Sequence, residues 1–194
     1  MALPFTDNQK NTIRERLLRS AMKHALKIGI RKTSLDMLAA DAGIAKSSFY
    51  KFFESKELLF LEAGSRWEKE IHGRMQTALK ENNCLSDKDR AAAIVFSVFK
   101  AIHELGIARF LREDAPLLNE LLQEKQVKAH MLSSAQMLFE ALREANIRFT
   151  APDETVASVI QLLYLSILNF GDLGENYFPA LYEIVAGACD RLVA

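Results

Sequence analysis

The stretch Ala39–Phe53, AADAGIAKSSFYKFF, gathers the densest hydrogen-bonding chemistry in this 194-residue sequence on the shortest stretch of regular structure. Ala39 is small enough for a second helix to cross over it. Gly43, four residues on, supplies the positive φ that a sharp turn between helices needs. Phe49, six further on, is placed to pin the second helix back onto the first. That arrangement turns Lys46, Ser47, Ser48, Tyr50 and Lys51 outward. Ammonium, hydroxyl and phenol groups side by side suit phosphates and base edges. Two helices joined by a tight glycine turn form a helix-turn-helix, whose second helix need only place its first turns in a major groove. An ordinary helical corner with a solvated polar face shares the same turn, so the turn alone does not decide between them.

Charge favours the nucleic-acid reading. The chain is neutral overall, but residues 1–56 carry 11 Lys+Arg against 5 Asp+Glu, and residues 57–194 carry 14 against 20. A basic head on an acidic body is the asymmetry expected when only the head meets a polyanion.

The surrounding pattern is helical throughout. Nearly half the residues are apolar, Gly and Pro are few, and no β-branched alternation runs for a strand length. A first helix shows Ile13, Leu17, Leu18, Ala21, Ala25 and Ile28 on one face and stops at Gly29. The run TSLD places Thr33 at the N-cap of helix two (Ser34–Ala42), with Asp36 three residues into it. Ala45 to about Lys51 makes roughly two turns. A long helix begins at Lys56 behind Ser55 and keeps its period to about residue 80. Then come Asp87–Glu104, a short helix over Ile107–Arg112, a long region from about Pro116 to Asn146, a helix over 153–170, and a last one over about 178–192. The expected fold is all-α, about nine helices. A three-helix DNA-binding head over 1–56 is joined by the long helix to a larger body over 57–194, the sensing and dimerisation domain.

The body gives a weaker signal. Trp67, Phe96, Phe99, His103, Phe110, Met137 and Tyr164 suit either plain core or the walls of a mostly apolar ligand pocket between helices, and Phe139, Phe170 and Met131 belong to the same group. Segments 153–170 and 178–193 are apolar on more than one face, which a symmetric helical interface between two copies explains. No catalytic constellation appears. The four histidines lie on separate helices without paired spacing, and no phosphate-binding glycine loop or nucleophile elbow occurs. No metal or cofactor is implied. Cys84 and Cys189 read as ordinary thiols. The first residues lack a signal-peptide core, and the most apolar run, Val156–Phe170, is too short and too polar to span a membrane. The expectation is a soluble cytoplasmic protein.

Residues 29–60, GIRKTSLDMLAADAGIAKSSFYKFFESKELLF, closely resemble the DNA-binding region of TetR-family transcriptional regulators. The resemblance is carried by Gly29, Thr33, Leu38-Ala39, Ala42-Gly43-Ile44, Lys46, Phe49-Tyr50, Phe53, Ser55-Lys56 and Leu58. It implies a homodimer on a palindromic DNA operator, usually a repressor, released when a small molecule enters the body. By position it implies phosphate contacts from Thr33 and Ser34, base-edge contacts from Lys46, Ser47 and Ser48, a phosphate or base contact from Tyr50, and a phosphate contact from Lys56. The family often has histidine where this chain has Phe52, and a contact is lost there unless Lys51 replaces it. Phe49 and Phe53 read as core. Two other readings remain: a DNA-binding dimer with no small-molecule effector, controlled by a protein partner or by abundance, and a helical scaffold whose basic head is incidental.

Overall fold

The computed structural model describes residues 5–122, 134–170 and 174–194. Among them the fold is all-helical, with nine α-helices: α1 (Asp7–Lys27), α2 (Leu35–Ala42), α3 (Lys46–Phe49), α4 (Lys56–Glu81), α5 (Asp87–Glu104), α6 (Ala115–Leu121), α7 (Ser134–Glu144), α8 (Asp153–Leu168) and α9 (Tyr177–Leu192). A π-helical turn, Phe110–Asp114, leads directly into α6, and a 3-10 turn, Gly174–Asn176, precedes α9. The long region expected from Pro116 to Asn146 is described at its two ends as α6 and α7. His130 and Met131 lie outside the described residues.

By packing, the chain forms two compact units. The first contains the described residues up to Trp67, with α1, α2, α3 and the start of α4, together with Arg109–Leu122. Its core is Leu17, Leu18, Ala21, Leu38, Ala42, Phe49, Leu59 and Phe60, all fully buried. The second contains the rest of α4 from Glu68, then α5, α7, α8 and α9. There α5 supplies Ile94, Phe99 and Ile102 to the core, as its nearly continuous apolar run requires. The C-terminus is tied down by backbone bonds from Thr150 N–H to Leu192 O (2.8 Å) and from Ala194 N–H to Arg148 O (2.9 Å).

Two local expectations need correction. Ser34, not Thr33, is the N-cap of α2, its Oγ accepting from Met37 N–H at 3.2 Å. Thr33 instead donates its hydroxyl to Gly29 O at 2.7 Å and is only 1% exposed. The full capping box belongs to α1, where Thr6 and Gln9 bond each other's backbone N–H groups. The short helix expected over Ile107–Arg112 is observed as the π turn. Pro116 has no N–H to donate to Arg112 O, and its ring would press on that carbonyl, so the chain widens and Ala115 N–H reaches back five residues to Phe110 O.

Candidate nucleic-acid interface

Two glycines shape the head. Gly43 ends α2 in the left-handed region (φ 72°), and Ile44 N–H returns to Ala39 O at 3.0 Å, closing the helix end. Gly29 (φ +82°) does the same for α1, with its N–H on His24 O. The regular part of α3 is one turn. Hydrogen-bonded turns carry the winding on, through Lys51 N–H to Ser48 O (3.1 Å), Phe52 N–H to Phe49 O (2.9 Å) and Phe53 N–H to Phe49 O (3.2 Å). Such a short piece holds its place because its inner side is anchored: Phe49 is fully buried and Phe53 nearly so. Both are core residues.

The outer side presents the groups that the spacing placed there. Lys46, Ser47, Tyr50 and Lys51 are exposed and Ser48 is half-buried. Tyr50 is 58% exposed and stands edge-on to Phe49 with ring centroids 5.6 Å apart. Lys46 Nζ bonds Asp36 Oδ2 at 2.9 Å, joining α3 to the first turn of α2, and this hydrogen bond raises the ammonium above its ordinary range. Lys51 Nζ lies 5.5 Å from the centroid of the Phe5 ring. An open cleft of about 350 Å³ is lined by Thr33, Ser34, Leu35, Tyr50, Ser55 and Lys56, with the carboxylates of Glu54 and Glu57 at the same space. The starts of α2 and α4 thus face one cleft of mixed charge. First-turn N–H groups and a positive helix end are suited to an anion.

Two residues expected at phosphates are occupied otherwise. Thr33 is removed by its burial and its bond to Gly29. Lys56 is half-buried, its Nζ donating to Ile30 O and Thr33 O at 3.0 Å each. It therefore braces the loop between α1 and α2, with one N–H left for a phosphate. Phe52, in place of histidine, packs on Phe5 at 5.8 Å.

The sequence reading missed the braces beneath this face. Arg14 donates to Phe52 O at 2.9 Å, pairs with Glu62, and sits 4.3 Å over the Phe53 ring, so α1 grips the exit of α3. Asp41 accepts from Ser20 Oγ–H at 2.8 Å and lies 2.9 Å from His24 Nε2, locking α1 to α2. The Ser20 bond, more than His24, holds the Asp41 carboxyl below its usual range. Ser20 and His24 are four residues apart on one face of α1, which was the available signal.

The proposed pocket residues separate. In the first unit, Trp67 and Phe110 pack edge to face at 4.8 Å and are buried. In the second, Phe99 is buried in the core, whereas His103 is exposed with its ring against Phe170 (4.9 Å) and Phe178 (4.7 Å). Met137 is half-buried and borders a narrow apolar cleft, and Tyr164 is half-buried on α8. Phe96 borders a much larger open groove of about 1040 Å³ between α4, α5 and α9, together with Ala92, Ala93, Tyr182 and Val185. Among the described residues no three His, Cys, Asp or Glu side chains form a metal cluster, and no helix is long and apolar enough to cross a membrane.

Residues 17–63 match the family model described as bacterial regulatory proteins, tetR family. The uncharacterized HTH-type transcriptional regulator YhgD of Bacillus subtilis (strain 168) is 26% identical over 180 residues, 91% of this chain and 92% of the relative. Two crystal structures share the fold. A protein assigned to the tetR family of transcription regulators, from Shewanella sp. PV-4, superposes with a TM-score of 0.67 at 18% identity, covering 94% of this chain and 98% of its own. The transcriptional regulator FadR from Bacillus subtilis, in complex with stearoyl-CoA, gives 0.62 at 17% identity, covering 90% and 96%. The glycine turn and the anchored one-turn helix lie within the matched segment, so residues 17–63 are a DNA-binding region of the tetR-family kind, in a chain whose fold the two crystal structures share.

Proposed function

We propose that this protein is a homodimeric, sequence-specific repressor that leaves a palindromic operator when a small, largely apolar effector binds its body. Residues 1–56 are the DNA-binding domain and residues 57–194 the sensing and dimerisation domain. The observation that carries the reading is the division of Lys46–Phe53 into a buried aromatic side and an outer side of Lys46, Ser47, Tyr50 and Lys51. On this reading Lys46, Ser47 and Ser48 meet base edges. Ser34 and Lys56 hold a phosphate in the cleft they share with Tyr50, Tyr50 reaches phosphate or a base, and Lys51 pairs with the backbone. Dimerisation runs through 153–170 and 178–193. Leu162 and Ile184 are 67% and 58% exposed on α8 and α9, which supports an interface there.

The groove lined by Phe96 and Tyr182 is the effector site of this reading, since its size and mixed lining fit a small ligand. The stearoyl-CoA complex of FadR shows that a relative in fold carries an apolar chain. The separation of the seven residues first expected to form a pocket favours the alternative, an operator-binding dimer without a small-molecule effector. The test is selection of bound sequences from random duplex DNA by the purified protein at near-physiological salt. A palindromic enriched motif is expected, and the same duplex then serves to screen for releasing compounds. Binding without enrichment that vanishes as salt rises overturns the reading.

A further inference from the structure

The loop Gly29–Lys32 joins α1 to α2, so its position sets where α2 begins and how α3 is presented. It is held from two sides within the first unit. Lys56 holds the carbonyls of Ile30 and Thr33. From the other side, Asp114, at the end of the π turn and only 5% exposed, accepts from Ile30 N–H through Oδ1 at 3.2 Å. Arg109, just before that turn, donates to Ala25 O in the last part of α1. The fit is tight: a Cβ on Gly29 would lie 2.8 Å from Arg109 Nη1 and 3.4 Å from both Asp114 oxygens.

Two features set this contact apart from core packing. Asp114 Oδ2 is buried with no hydrogen-bond partner among the described residues, and Arg109 Nη1 stands 4.0 Å away. A carboxylate in that position is costly, and a leucine of similar volume would avoid the cost. Arg109 is divided between Asp114, Glu113 (3.5 Å) and the α1 carbonyl. The π turn that presents both residues is the less stable form of helix, kept where it aims side chains. Partial satisfaction on a π turn suits a contact that fixes geometry better than it suits one that only stabilises.

We propose that Arg109 and Asp114 are positioning residues for operator binding: they clamp the α1–α2 loop and so set the angle at which α2 and α3 meet DNA, without touching DNA themselves. The proposal rests on the operator-binding reading above.

The test uses the full chain and the duplex selected by the wild type, at a temperature where circular dichroism shows every variant folded. Asp114→Leu removes the acceptor for Ile30 N–H, and Asp114→Asn keeps it. Affinity for the selected duplex is expected to fall tenfold or more in D114L and to return within about threefold of wild type in D114N. Affinity for a scrambled duplex and the salt slope change far less in both, because every Lys and Arg of the head is retained. Arg109→Gln, at a half-exposed site, is the second variant should D114L not fold. Its specific affinity is expected to fall severalfold with the scrambled duplex again far less affected. Wild-type affinity in folded D114L or R109Q, or equal losses on both duplexes, overturns the clamp. A wild type that selects no motif overturns the operator reading itself and the clamp with it.

Discussion

Glu68 stands on α4 at the edge of a narrow cleft formed by Ile71, Met75, Val98, Met137 and Leu138, and has no ion-pair or hydrogen-bond partner among the described residues. Burial pushes its carboxyl from 4.5 up to about 7. The folded chain therefore keeps a proton that the unfolded chain releases, so folding stability falls as pH rises from about 4.5 through about 7 and levels off above. At about 1.4 kcal/mol per pH unit that span bounds the loss at about 3 kcal/mol, and partial solvent access brings it to about 1–2 kcal/mol. Glu68→Gln keeps the shape and removes the titration. Measured by thermal unfolding, E68Q should match the wild type near pH 5 and exceed it at pH 8 by about 2–8 °C, taking about 2–4 °C per kcal/mol for a chain of this size. An equal difference at both pH values would show that Glu68 is solvated and refute the burial argument.

Three further outcomes are expected. Tyr50→Ala should weaken binding to the selected operator by about 1–3 kcal/mol in a titration, and unchanged affinity would take Tyr50 off the DNA face. Lys56→Ala should cost about 1–3 kcal/mol of folding stability in urea, because two carbonyls lose a charged donor. It should also flatten the salt dependence of binding by about one, and an unaltered slope would confine Lys56 to bracing. Leu162→Glu together with Ile184→Glu should turn a dimer into a folded monomer by light scattering, since both side chains are exposed within one chain. A variant that stays dimeric places the interface elsewhere.

Much of the head was legible in sequence because its rules are local. Gly29 and Gly43 mark helix ends through backbone conformation alone, and Ala39, Phe49 and Phe53 mark the crossing through size. The N-cap was misplaced by one residue because Thr33 and Ser34 are both good caps. Only the fold shows that Thr33's hydroxyl is already taken by Gly29 O. The clamp was invisible for a different reason. Arg109 and Asp114 reach partners more than eighty positions away, and neither an arginine nor an aspartate on a helix announces such a partner. The pocket residues could not be told from core in sequence because aromatics and methionines fill cores as well as they line cavities. Trp67 and Phe110 simply pack on each other.

The charge surplus of residues 1–56 overstates what the head offers to DNA, and the surplus divides by burial. Arg14 and Lys56 are half-buried and commit donors within the head, Arg14 to Phe52 O and Glu62 and Lys56 to two carbonyls with one N–H left over, where breaking them would leave polar groups stranded. They are braces. Lys46 is different. Its pair with Asp36 is between exposed side chains and is weakened by solvent, so a phosphate or a base edge displaces Asp36 at little cost. Until then Asp36 occupies the lysine and opposes a phosphate at the start of α2, which weakens contact with arbitrary DNA more than contact with a site whose bases repay the exchange. A one-turn helix held by buried aromatics and α1 braces, with a single cheap ion pair on its outer face, therefore couples rigid presentation to selective binding. On the proposed operator reading, the affinity lost to Asp36 is regained where Lys46 meets a matching base. Asp36→Asn should therefore raise affinity for a scrambled duplex more than for the selected one, and equal gains on both would refute this.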